Sequence, residues 1–359
     1  MRTLVCIMLL LCMFAVPVFA EGSGFDVSAV EEKLPDDARE VGGTLTTDGS
    51  YDVRGAIARL YGKAKSILKE RLNRELSELA RIVAIAVVCA VSETVCADVR
   101  MRQIMSLCAC AAVTLAAAGP LDSIAGELTE AIRALCDYGR AALPAVYTAS
   151  ALSGAVVSAG AKYAAVSLCM SVMMEALQRI TIPLIYAFLA FSVSRCICQN
   201  AILDAAASVI KWSCVSVMTL LTMGVSAYIT LTGALTGGAD AIAVKGTRTV
   251  IASALPVVGG ILSDAASVVL ASAAVIKSSA GVFALVGVCA LCLGPFLAIG
   301  VKMLLFRLCA ALASAVEGKR LAALLGDISA ALGMMLGVLG TVTIMLFISF
   351  TAAIRTVSG

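Results

Sequence analysis

Thiols and carboxylates are the groups in this chain whose spacing could support chemistry, because none of its 359 residues is histidine. Without His there is no Ser-His-Asp or Cys-His nucleophile pair, no imidazole general base and no His-bearing zinc site. The sequence also holds no Walker A loop, no dinucleotide-binding glycine fingerprint and no GxSxG elbow. Cys289-x-x-Cys292 is a single CxxC inside an apolar run, and a redox or metal site would need a second pair or a polar setting. Cys108-x-Cys110 and Cys196-x-Cys198 are weaker signals still. Of the 14 cysteines, Cys6 and Cys12 lie in the first 20 residues, none lies in 21–80, and nearly all the others sit in apolar runs. They read as small buried hydrophobes rather than a disulfide framework. No catalytic residue, cofactor or metal is expected, and no enzymatic activity.

Charges within apolar runs carry more information, since a charge in lipid is expensive. They are Glu93, Glu175, Arg179, Asp264, Lys277, Lys302 and Asp327. Glu175 and Arg179 are spaced to pair on one helix face. Asp264 follows Leu255-Pro256-Val257-Val258-Gly259-Gly260, a segment whose proline and glycines interrupt a helix. Two readings stand for such charges: a polar pathway or inter-subunit contact, or a loop or interface position where charge costs little. The candidate polar and packing positions are therefore Pro144, Pro183, Pro256, Gly259, Asp264 and Pro295. Ala142-Leu143-Pro144-Ala145-Val146 is echoed by Ala254-Leu255-Pro256-Val257-Val258, 112 residues later, and Pro183 and Pro295 keep the same offset. An internal repeat of the kind found in transporter folds explains this; chance matching in an Ala-rich chain is the alternative.

The elements that must hold these residues are membrane helices. The chain is 61% hydrophobic and 14% charged, with a mean hydropathy of +1.00, where a soluble domain has roughly 45–50% and 25%. Apolar runs fall at about 82–97, 103–119, 141–161, 163–177, 180–198, 213–235, 250–275, 281–300, 303–316 and 328–352. Several are shorter than the roughly 20 residues that a spanning helix needs. The expected fold is all-α: a polytopic transmembrane bundle with Pro- and Gly-broken helices, occupying residues 81–359. Dense small residues, among them Ser153, Gly154, Gly333, Gly337 and Gly340, favour close helix packing.

Ahead of that domain, residues 1–20 read as a signal peptide: Arg2, an apolar stretch from Leu4 to Phe14, then Val18-Phe19-Ala20 before Glu21. Residues 21–54 form a flexible acidic exported segment. Residues 55–80 form a basic amphipathic helix, with Ile57, Leu60, Leu68, Leu72 and Leu76 against Lys63, Lys65, Lys69 and Arg71. With residue 80 outside, Asp98–Arg102 falls inside, and a loop holding Asp122, Glu127 and Glu130 falls outside, in accord with the positive-inside rule. The net charge of +3 and the single Trp argue against a nucleic-acid partner; the lipid bilayer is the expected surrounding.

Certain motifs resemble the stage III sporulation protein AE family. They are Leu143-Pro144 followed by Ser153-Gly154 and Ser158-Ala159, then Ile182-Pro183-Leu184-Ile185 through Ser194, and most specifically Lys245-Gly246-Thr247-Arg248, Leu255-Pro256-Val257-Val258-Gly259 and Ser263-Asp264-Ala265. The likeness covers most of the chain after residue 55. Many relatives place a short His-Pro element after the Ser-Ala step, where this chain has Gly160-Ala161-Lys162. The resemblance implies a multi-pass membrane subunit of the mother-cell complex around the forespore, a channel or secretion-like apparatus needed for endospore formation. Its implied partners are the other membrane and exported subunits of that complex, with the N-terminal segment extracytoplasmic. A free-standing secondary transporter of a small solute, suggested by the repeat and the broken helices, is the competing reading.

Overall fold

The computed structural model describes residues 53–95, 99–152, 156–198, 200–254, 259–315 and 319–354. The leader, most of the acidic segment and Pro256 lie outside the described residues. In chain order the helices are α1 (Val53–Val95), α2 (Val99–Leu152), α3 (Val156–Ala176), α4 (Ile182–Cys198), α5 (Ala201–Ala254), α6 (Gly259–Ala315) and α7 (Lys319–Ile354). A π turn, Leu177–Thr181, joins α3 to α4. Among the described residues there is no strand, so the fold is the all-α class expected. Five stretches among the described residues are long and apolar enough to cross a membrane: Ile104–Thr148, Ala159–Cys198, Ala201–Tyr228, Gly281–Ala315 and Arg320–Ala353.

The helices are longer and fewer than the apolar runs suggest. The amphipathic 55–80 segment and the run after it form one helix of 43 residues. The runs at 281–300 and 303–316 likewise merge within α6. The largest departure is in α2, whose 54 residues extend roughly 80 Å at 1.5 Å per residue. The expected loop around Asp122, Glu127 and Glu130 is helix throughout. Ile124, Leu128, Ala131, Leu135, Tyr138 and Ala142 are buried on one face there, while Asp122, Glu130, Arg133, Asp137 and Arg140 are exposed on the other. That period of three to four residues holds the segment helical, whatever its mean polarity.

Proline acts differently from place to place. Pro120 and Pro144 lie inside α2 and Pro295 inside α6 without ending either helix. Pro183, by contrast, follows the π turn. There the Ile182 N–H reaches back to the Leu177 carbonyl, and Thr181 Oγ1 donates to the Ala176 carbonyl at 3.4 Å. A proline ring clashes with the carbonyl four residues earlier, here that of Arg179, and a widened turn relieves the clash.

α7 forms the core. It packs against α2, α4, α5 and α6, and Leu325, Ala331, Leu332, Val338, Leu339, Val342, Leu346 and Phe350 are wholly buried. The backbone approaches are close. A Cβ on Gly337 would stand 3.3 Å from Met218 Sδ of α5, and one on Gly139 of α2 would stand 2.7 Å from Leu346 Cδ2. Small residues permit this contact in a bundle held by van der Waals packing.

Candidate functional site

The sequence candidates separate once placed. Pro144 lies among the buried Leu143, Val146 and Tyr147 of α2. Pro183 is exposed at the start of α4, and Pro295 is half-buried in α6. Gly259 opens α6 and Asp264 falls in its second turn, but their side chains, like those of Glu93 and Lys277, lie outside what is described. The side-chain polar contacts between helices form at other residues.

The polar centre forms elsewhere, around Asp327. Arg195 of α4 donates from Nη2 to Asp327 Oδ2 of α7, and from Nη1 to Asp204 Oδ1 of α5 at 3.2 Å. The Arg195 side chain is 23% exposed and that of Asp327 14%, against 63% for Asp204. One guanidinium therefore clasps two helices through carboxylates. Asp204 is favoured by its place in the first turn of α5, where the helix dipole welcomes a negative charge. Asn200 caps the same turn, accepting the Ile202 N–H at 3.0 Å. The cluster sits at helix ends, with Arg195 in the last turn of α4 and Asp204 in the first turn of α5, and the less exposed Arg195–Asp327 pair holds its two charges against each other.

Two further groups surround the clasp. Cys196, next to Arg195, is joined to Cys110 of α2 in a disulfide with a Cα–Cα distance of 6.9 Å. Both are buried, and Cys196 Sγ lies 3.9 Å from the Arg320 carbonyl at the start of α7. The expectation that every cysteine is simply a small buried hydrophobe fails at this pair; only the two CxC spacings hinted at it. Ser192, one turn before Arg195, buries its hydroxyl without a hydrogen-bond partner, a state that costs about 1–3 kcal/mol.

Other polar contacts tie further helices together, and those to Ser349 and Ala352 reach the far end of α7. Tyr138 donates to the Ala284 carbonyl and Tyr147 to the Ser349 carbonyl, each at 3.2 Å. Lys162 Nζ donates to the Ala352 carbonyl at 3.5 Å, a cation placed where a helix C-terminus favours one. The buried Lys302 adjoins Met303, whose carbonyl accepts Ser329 Oγ at 2.9 Å. On α1 and α2, Arg71 meets Glu127 at 3.1 Å. Glu175 and Arg179 pair at 2.6 Å but stay exposed, so they contribute only about 0.3–0.5 kcal/mol.

Chemically, the Arg195 cluster is a clamp: a fixed cation, two anions and a disulfide at the junction of α2, α4, α5 and α7. Among the described residues no three His, Cys, Asp or Glu side chains converge as a metal site requires. Asp327 was legible in the sequence as a charge in an apolar run. Arg195 was not singled out as its partner, although its position on the buried face of α4 with Phe188, Ser192 and Cys196 was the available signal.

No solved structure matches. A stage III sporulation protein AE from Bacillus subtilis (strain 168) is 25% identical over 229 residues, which is 63% of this chain and 57% of that relative. The chain thus aligns with somewhat more than half of the curated relative's length. The family model described as stage III sporulation protein AE matches residues 48–357, a range that contains every described helix, and the chain therefore belongs to the stage III sporulation protein AE family.

Proposed function

We propose that this protein is a non-enzymatic membrane subunit of a channel or secretion-like complex, set in the mother-cell membrane around the forespore and required for endospore formation. The observation that carries the reading is the family match over residues 48–357 on a bundle with five span-length helices. The polar groups support it too. They join helix to helix, as in the Arg195 cluster. In this proposal the N-terminal segment, residues 21–54, is extracytoplasmic, and the partners are other membrane and exported subunits of the stage III assembly.

One observation favours a free-standing transporter instead: the π turn before Pro183 gives a span with an irregular middle, and such helices line solute sites in transporters. Deleting the gene in its spore-forming host separates the two readings. A complex subunit predicts arrest after engulfment, with late forespore gene expression lost and not restored by feeding any solute. Normal heat-resistant spores, or rescue by a supplied solute, contradict the proposal.

A further inference from the structure

We infer that the outward stripe of α2 from Asp122 to Arg140 faces a water-filled space, at the same depth at which α5, on another side of the bundle, faces lipid. This rests on the proposed channel role only in treating that space as part of a passage; the exposure itself is independent of it.

The stripe is continuous and changes character once. Met101, Ile104, Cys108, Ala111, Leu115 and Ala118 are exposed along α2, at the three- and four-residue spacing that makes one helix face. Beyond Pro120 the same face continues with Asp122, Glu130, Arg133, Asp137 and Arg140, all exposed. Arg140 pairs with Asp137 at 3.4 Å, yet these side chains remain 63% and 71% exposed. The opposite face of the same turns, including Ile124, Leu128, Leu135 and Tyr138, is buried against the bundle.

α7 serves as a ruler for depth. Gly139 of α2 abuts Leu346, and Met218 of α5 abuts Gly337. Those two α7 positions lie roughly 14 Å apart at 1.5 Å per residue. Met223 is five residues beyond Met218 in the direction of Leu346, and Arg133 is six residues back from Gly139 towards Gly337. Arg133 and Met223 therefore occupy one slab of the bundle. In that slab α5 exposes Leu220 and Met223, continuing a face with Ile202, Val209 and Trp212, whereas α2 exposes only charge. α2 and α5 each pack on α7 without forming a substantial contact with each other. Glu175 of α3 and Arg179 of the π turn stand exposed near the same level, since Met174 touches Cys136 of α2 at 3.0 Å. Lipid suits the α5 surface and not the α2 surface.

The test uses the full-length chain in native membranes. Single cysteines replace Glu130, Arg133 or Asp137 on α2, and Leu220 or Met223 on α5, in a background lacking the other cysteines. A membrane-impermeant charged maleimide should label the α2 positions at least tenfold faster than the α5 positions. No labelling on α2, or equal labelling on both helices, overturns the inference. Should the cysteine-depleted chain fail to accumulate, a photoreactive side chain at the same five positions of the otherwise native chain gives a second readout. Phospholipid adducts should then form at Leu220 and Met223 and be at least tenfold rarer at Glu130 and Arg133; equal yields contradict it. Neither result depends on the channel assignment, which stands or falls on the sporulation phenotype.

Discussion

α5 and α7 are both apolar enough to cross a membrane, but 17% of the most apolar stretch of α5 is buried inside the protein, against 78% for α7. Length and hydropathy qualify both as spans. What divides them is shape and polarity at close range. α7 presents glycine where a neighbour crowds in, as at Gly337 against Met218, and a carboxylate, Asp327, aimed at Arg195. α5 presents Ile202, Val209, Trp212 and Leu220 outward with nothing packed over them. In a bilayer an apolar side chain reports only that it avoids water; the interior of the fold is marked by small residues and matched polar groups.

Substitutions should respect that division. Phe350 is wholly buried with its ring tilted against Tyr138, and Phe350→Ala should cost about 3–5 kcal/mol, read as a fall in detergent melting temperature. Trp212→Ala, at a position 70% exposed, should change stability by less than about 0.5 kcal/mol. Equal losses at both would erase the contrast between the helices.

The clamp should show the same asymmetry on a smaller scale. Asp327→Asn leaves a half-buried guanidinium with only its exposed partner and should cost about 2–3 kcal/mol, below the 3–5 of a fully buried pair because water reaches Arg195. Asp204→Asn should cost under about 1 kcal/mol, as exposed pairs do. Thermal unfolding of the two variants side by side checks the order.

Gly287 offers a finer probe of packing, because a Cβ there would overlap the buried Tyr138 ring. Gly287→Ala should destabilise by about 1–3 kcal/mol, and Tyr138→Phe in the same chain should recover part of the loss by removing the hydroxyl that is struck first. Tyr147→Phe should have the smallest effect, about 1 kcal/mol for the bond to the Ser349 carbonyl.

Much of the fold was legible because lipid imposes a strong compositional signature. The apolar runs, the helical class and the charged outlier Asp327 could all be read directly. The segment 120–140 was misread as a loop because its charges were weighed by number. Its buried positions, Ile124, Leu128, Ala131, Leu135 and Tyr138, already carried a helical period. Pairings across the bundle were harder, since Arg195 and Asp327 are separated by 132 residues and Cys110 and Cys196 by 86, and no local pattern links positions so distant. Pro144 and Pro183 looked alike in sequence; one lies inside α2 and the other just beyond a π turn.

The central claim is that this chain works as part of an assembly. The most direct measurement is to purify it in mild detergent from sporulating cells and identify what comes with it. The account predicts a stable particle in which this chain is accompanied by other membrane and exported stage III subunits. A particle holding this chain alone, which moves a small solute across reconstituted vesicles, would contradict it.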